Sequence, residues 1–320
     1  MSDISPQERC WNLLRGGLGT KAFGIAADLG VADVLANGPR PIAELARETG
    51  ADEDTLYRIL RALASDGVFV EHEPRVFGNT EASELLRSDH PERWRDYAHL
   101  FSSACFSAVG AMDAQGREIA FERSFGTDFW SWLAEHPEDR AGFDRAMSSD
   151  GSGRADRLAE IEWRGDETVV DLGGGSGGLL RDLVQRRPDL HGIVFDLPET
   201  NRDDATFGGN LDFVAGDFFE LVPKGDVYVL SKILHDWDDE RSSQILRTIR
   251  GAAAPNARVL ILENVIPPGN DPNGAKWLDL LMLVLARGRE RTQPEWQALL
   301  EGAGFQIAAI EDGFIEARCR

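Results

Sequence analysis

The stretch VVDLGGGSGGLLRDLV, residues 169–184, constrains the fold more than any other part of the chain. An apolar run enters five glycines and a serine, and the far side opens at once into an amphipathic helical pattern. A strand that enters such a loop and leaves it as a helix is the first βα unit of a doubly wound sheet, with a ligand at the bend. The rest of the C-terminal half fits that frame. Strand patterns recur at TVVDL (168–172), GIVFDL (192–197), LDFVAG (211–216), VYVLS (227–231) and RVLILE (258–263), with helical patterns between them. The terminal FQIAAIEDGFIEARC reads as an antiparallel hairpin turning at Asp312-Gly313. Alternating β and α units predict a mainly parallel, Rossmann-like α/β sheet with ligands at the carboxyl ends of its strands.

The first 150 residues are different, rich in helical periodicity and poor in strands. TKAFGIAADLGVADVLA (20–36) spaces its apolar residues as one helix or two short ones. Residues 41–80 then read as helix, tight turn at Thr49 to Ala51, second helix to about Ala64 and a small hairpin, a winged-helix pattern. Winged helices often bind DNA. Here the second helix opens with Asp52, Glu53 and Asp54, which repel phosphates and suit the helix's own positive N-terminus. The predicted role is packing and dimerisation. The polar stretch SSDGSGRADR (148–157) marks the boundary, giving a helical dimerisation domain at 1–150 and a ligand-binding domain at 151–320.

The net charge of −21 makes nucleic acid and anionic membrane surfaces poor partners. The longest apolar run, WLDLLMLVLA (277–286), contains Asp279 and is too short to span a bilayer. Cys10, Cys105 and Cys319 lie far apart, and MSDISPQERC has neither the basic nor the apolar block of a signal peptide. A cytoplasmic location is expected.

Gly173, Gly175 and Gly178 satisfy the G-x-G-x-x-G pattern of dinucleotide sites. Asp171, two positions before Gly173, argues against that ligand: a carboxylate disfavours a pyrophosphate and favours an amino group. The D-x-G-x-G-x-G order resembles motif I of class I methyltransferases, whose ligand is S-adenosyl-L-methionine. Asp196 and Leu197 close the second strand pattern, where an acid can accept the ribose hydroxyls, and an N-cap before Pro198 is the competing role. Asp217 and Phe218, after the third, can hold and cover the adenine, or serve as a turn acid and a core aromatic. Ser231 and Lys232 end the fourth and border the same pocket, though Lys232 also reads as a surface lysine.

His235, in LSKILHDWDDE (230–240), falls just past a strand end on the ligand-bearing rim, unlike the other five histidines. Asp236, Asp238, Asp239 and Glu240 read as N-terminal charges of the next helix, with a magnesium site a weaker alternative and no metal expected. Together VVDLGGGSG, VFDLPE, GDFF, LHDW and GRERT (288–292) resemble the small-molecule O-methyltransferases of plant caffeate type and of bacterial antibiotic and phenazine biosynthesis. That resemblance implies a homodimer, S-adenosyl-L-methionine as cofactor, an aromatic small-molecule acceptor and His235 as general base, oriented by Glu263 and Glu290. Glu263 otherwise reads as a solvated strand end, and Glu290 as a partner of Arg291 ahead of the Thr292–Glu295 capping box. Trp130, Met147, Asp236 and Met282 are the candidate acceptor-pocket residues. Arg287 departs from the family, where a second glycine is usual. Some relatives keep the cofactor and catalyse decarboxylation, hydroxylation or pericyclic chemistry, which is the alternative function.

Overall fold

The computed structural model describes residues 4–116, 118–148, 151–198, 200, 204–311 and 313–319. The chain divides into two compact units, Met1–Ala111 with Ser124–Ser149, and Met112–Arg123 with Asp150–Arg320.

In the first unit a long helix, Pro6–Asp28, is capped at Ser5 and stops where Gly30 takes a left-handed backbone at φ 67°. A short helix, Val31–Val34, follows, so the 20–36 periodicity is split between two helices. Gly24 lets the long helix lie against Trp94–Ser102, because a Cβ there would occupy the Ser102 side chain. The winged-helix pattern forms as helix Ile42–Thr49, a left-handed Gly50, helix Glu53–Ser65 and strands Phe69–Glu73 and Val76–Asn79. Asp52 is the N-cap of the second helix and accepts the Thr55 N–H, so the acid run serves the helix end.

The second unit holds a seven-stranded sheet: β1 (Thr168–Leu172), β2 (His191–Asp196), β3 (Leu211–Ala215), β4 (Val227–Ser231), β5 (Arg258–Leu262), β6 (Phe305–Glu311) and β7 (Phe314–Cys319). Its order is β3-β2-β1-β4-β5-β7-β6, with β1 to β5 parallel and β7 antiparallel to both its neighbours. The terminal hairpin is present; of its turn, Gly313 has φ 76° and Asp312 lies outside the described residues.

The central strands are apolar on both faces because helices cover both. Val170, Leu172, Tyr228, Leu230, Val259 and Ile261 join one core with Ile245, Leu246 and Ile249 of helix Asp239–Ala252 and with Trp296, Leu299 and Leu300. The alternate residues Val169, Val227, Val229, Leu260 and Leu262 join the other, with Leu180, Leu183 and Val184 of helix Gly178–Arg186. The strand order reverses between β1 and β4, which opens a crevice at their carboxyl ends. The glycine loop and the His235 segment both leave the sheet there.

Candidate active site

The glycine loop is shaped by backbone conformations that favour glycine. Gly173, Gly175 and Gly177 have φ of 69°, 58° and 81°. A Cβ on Gly173 would press on Ile233 Cδ1 at 2.5 Å, whereas the Cβ direction of Gly175 opens on empty space. Asp171 is 1% exposed, and its Oδ2 has no hydrogen-bond partner. Burial, reinforced by the charge of Asp196 and opposed by Arg154, pushes its carboxyl up to about 7. An orphaned buried carboxylate under a bare backbone cradle fits a ligand that brings a cation to the loop.

Asp196 ties this loop to β2. Its Oδ2 accepts the Gly175 N–H at 2.7 Å, and its Oδ1 accepts the Leu197 N–H and the Thr200 hydroxyl, both at 2.7 Å. Asp217 accepts the Phe219 N–H at 2.8 Å, forming a local turn, and Phe218 packs edge-on against Phe219 and Trp237. Leu197 is exposed. Ser231 accepts a 2.8 Å hydrogen bond from Arg154 Nη1, and Lys232 bends the chain away from β4 with a left-handed φ of 58°.

That bend starts the segment carrying His235, whose side chain is 10% exposed. Glu263, immediately after β5, is fully buried, and its Oε1 accepts the N–H groups of Ile233, Leu234 and His235 at 3.0, 2.7 and 3.2 Å. It clamps backbone; its Oε2 stays 4.0 Å from His235 Nδ1. The direct partner of the ring is Glu290, whose Oε1 lies 2.9 Å from Nδ1 and also accepts the Asn264 amide at 3.0 Å. Asp236 lies at the other edge of the ring, with Oδ1 3.5 Å from Nε2. Burial works against an imidazolium, but the charges of Glu263 and Asp236 and the bond to Glu290 outweigh it and raise the His235 pKa to about 9. Burial also pushes the Asp236 carboxyl up to about 7. The ligand atoms of His235, Glu263 and Glu290 lie within 4.8 Å of one another, a spacing a metal ion tolerates; both Oε1 atoms are engaged by N–H groups, while both Oε2 atoms are buried without a hydrogen-bond partner.

Of the acids after His235, only three serve the helix: Asp238 is its N-cap, and Asp239 and Glu240 lie in its first turn. Asp236 is apart from them, in the turn Leu234–Asp236 that carries His235. Met282 is buried on helix Ala275–Ala286, which packs against that turn. Trp130 and Met147 belong to helices Phe129–Glu135 and Pro137–Ser148 of the first unit. There Trp130 packs edge-on against Phe129 and Phe143, and Met147 is exposed.

Several supporting residues escaped the sequence reading. Gly288 is required because a Cβ there would run into the His235 carbonyl oxygen and the Asp236 backbone. Arg291, fully buried, does not pair with Glu290; it donates to the carbonyls of Leu234 and Trp237, to Ser242 Oγ and to Asp239, bracketing His235 from both sides. The Glu290 N–H in turn donates to Asp279 at 2.9 Å. Arg287 takes a left-handed φ of 55° at the helix end, a backbone conformation that favours glycine. The one available signal was GRERT itself, two arginines and a glycine crowded around a buried acid.

A β3-β2-β1-β4-β5-β7-β6 sheet with a glycine loop at β1 and acids on successive strand ends defines a class I methyltransferase. Residues 106–306 match the O-methyltransferase domain model and residues 11–89 the O-methyltransferase dimerisation domain model. The chain belongs to this O-methyltransferase family, whose cofactor is S-adenosyl-L-methionine. It is 40% identical over 301 residues to the phenazine O-methyltransferase PhzM of Lysobacter antibioticus, covering 91% of this chain and 88% of that protein. The crystal structure of LaPhzM superposes with a TM-score of 0.90 at 37% identity, covering 99% of this chain and 100% of that one. The O-methyltransferase NcsB1 from neocarzinostatin biosynthesis, solved with S-adenosyl-L-homocysteine and 1,4-dihydroxy-2-naphthoic acid, gives a TM-score of 0.79 at 33% identity, covering 94% of this chain and 95% of that one.

Proposed function

We propose that this enzyme methylates a phenolic hydroxyl of a small aromatic secondary metabolite, with His235 removing the hydroxyl proton. The observation that carries the proposal is the 2.9 Å contact between His235 Nδ1 and Glu290 Oε1. A carboxylate at that nitrogen keeps the proton on Nδ1 and leaves Nε2 as the acceptor. The cofactor supplies an activated methyl on a positively charged sulfur, so the protein's task is to position the acceptor oxygen and take its proton. A phenol of pKa ~10 facing an ordinary histidine at ~6.5 is uphill by about 3.5 units, roughly 5 kcal/mol. Against a ring whose pKa is raised to about 9 by its carboxylate neighbours that gap narrows. The same shift leaves little of the ring neutral at pH 7, so activity should climb with pH. Asp236, at the Nε2 edge, faces the acceptor hydroxyl or a neighbouring polar group, and Met282 contributes apolar wall.

The acceptor class rests on the named substrates of the relatives, a phenazine and a dihydroxynaphthoic acid, both fused aromatics. Incubation with S-adenosyl-L-methionine and a panel of hydroxyphenazines and hydroxynaphthoates should give one O-methylated product by mass spectrometry. Consumption of a substrate with the cofactor left intact would overturn methyl transfer.

A homodimer is part of this proposal. Trp11, Leu14 and Leu18 share one face of the first helix at 62, 78 and 76% exposure, an apolar stripe within the dimerisation-domain match. Light scattering should report a dimer at micromolar concentration; a monomer would refute it. Among the described residues no helix is long and apolar enough to cross a membrane. We assign the enzyme to the cytoplasm, acting without nucleic acid or membrane partners, which a gel shift at low salt and cell fractionation would test.

A further inference from the structure

Two nitrogens converge on one oxygen of Glu290. Its Oε1 lies 2.9 Å from His235 Nδ1 and 3.0 Å from Asn264 Nδ2, while its Oε2 is buried with no hydrogen-bond partner. The Asn264 amide turns its nitrogen to that oxygen because a carboxylate only accepts. Chain geometry puts Asn264 there. Val265 and Ile266 pair in parallel with Arg291 and Thr292, so one step back along the pairing Asn264 falls beside Glu290. The Asn264 carbonyl accepts the indole N–H of the fully buried Trp296 at 3.3 Å. Glu290 is fixed separately, by its own N–H on Asp279 and by the neighbouring Arg289 N–H on the His235 carbonyl.

The charge around the ring gives this contact its consequence. Glu290 is at Nδ1, Glu263 Oε2 is 4.0 Å from the same nitrogen, and Asp236 Oδ1 is 3.5 Å from Nε2. Asp279 stands behind Glu290. The cations nearby are engaged elsewhere: Arg291 on Asp239 and the carbonyls of Leu234 and Trp237, Arg289 on Asp239 and Glu295. The charge of Lys232 acts on Asp236. Three acids at one ring favour an imidazolium, and an imidazolium cannot take a proton. The Asn264 amide is a neutral donor on the acid oxygen nearest the ring. The positive end of its dipole offsets part of the charge that Nδ1 meets.

We infer that Asn264 is a positioning residue which, by sharing the Glu290 oxygen that holds the ring, limits how tightly His235 keeps its proton. The consequence for catalysis rests on the reading of His235 as the base. The sign is opposite to that of Glu290 itself. Removing the Glu290 charge loosens the ring's proton, whereas removing the Asn264 amide leaves that charge undivided and tightens it. Glu290 stays at the ring in either case, because its backbone is pinned by contacts that do not involve Asn264.

The experiment follows the His235 ring nitrogens by NMR against pH in the full-length enzyme, the signal being the one absent from His235→Gln. The pH profile of kcat/KM, with the hydroxyphenazine or hydroxynaphthoate that is methylated, is measured beside it. Asn264→Ala should raise the ring's midpoint by about half a unit to one unit, a fraction of one hydrogen bond to a charged group. On the rising limb kcat/KM should then fall about three- to tenfold, with the difference closing toward the top of the limb. Asn264→Leu, which keeps the bulk without the donor, should act alike, and Asn264→Gln, which keeps an amide, should recover part of the shift. A midpoint that stays or falls in both Asn264→Ala and Asn264→Leu would mean that the amide only braces the segment, and would overturn the inference. A midpoint that rises while the rate profile keeps its wild-type position would uphold the inference and refute His235 as the base, a separate and recognisable result.

Discussion

At the carboxyl ends of β2 and β3, the acids are held by backbone N–H groups and one hydroxyl nearby in sequence. Asp217 is held by the N–H two residues on, and Asp196 by Leu197, Thr200 and Gly175, at most 21 residues away. At the ends of β4 and β5, by contrast, His235 is set by Glu263 and Glu290, 28 and 55 residues away, and both acids are buried. The first region shapes loops and leaves a glycine cradle open, with a buried Asp171 oxygen still to be satisfied. The second also buries unpaired oxygens, the Oε2 atoms of Glu263 and Glu290, but its ring already has its partner in Glu290 Oε1. Binding should therefore fail in the first region and rate in the second.

The largest effect expected is that of His235→Gln. Loss of a general base lowers rate by roughly 10²- to 10⁴-fold, and here kcat should fall while S-adenosyl-L-homocysteine affinity stays near wild type. A mutant with unchanged kcat and an unchanged pH profile would assign the reaction to positioning alone. Next comes Asp196→Ala, which frees the Gly175 and Thr200 tethers; S-adenosyl-L-homocysteine affinity should drop about tenfold or more, with kcat at saturating cofactor much less affected. If kcat fell as far as affinity, the division between the two regions would collapse.

Glu290→Gln should cost less, about tenfold, because the amide still accepts the Nδ1 proton but no longer stabilises a cation. Its sharper signature is in pH. The wild-type kcat/KM should rise with pH through a limb whose midpoint lies above 6.5, toward the raised value of about 9. Glu290 raises that value, so its neutralisation must move the limb to lower pH. Combined with His235→Gln it should add almost nothing, since there is no ring left to orient. The smallest change is expected of Glu263→Gln, whose remaining carbonyl oxygen can keep the three backbone contacts. It too should shift the limb downward, with little loss of kcat at high pH; a large drop in thermal stability instead would show that the clamp requires a carboxylate.

Local chemistry made the first region legible in the sequence. Strand periodicity, the glycine run and acids at strand ends place Asp171, Asp196 and Asp217 on one rim, because a parallel sheet puts every strand's carboxyl end on the same side. The second-helix acids Asp52, Glu53 and Asp54 were legible for the same reason, since an N-cap and a helix dipole act within one turn. His235, Glu263 and Glu290 could be nominated from the sequence by the family resemblance; the division of labour among them could not. Whether an acid bonds the ring or the backbone is decided by how β5 and the GRERT segment pack, which leaves Glu263 Oε2 4.0 Å from Nδ1 and Glu290 Oε1 at 2.9 Å. Gly288 and Arg291 matter because they lie against the His235 carbonyl and its flanking carbonyls, contacts more than 50 residues distant along the chain. Arg154 reaches Ser231 across 77 residues, by a side chain whose direction no local pattern encodes. Hydrogen-bond and dipole rules of short range write themselves into the sequence, whereas buried electrostatics depends on distances that exist only once the chain has folded.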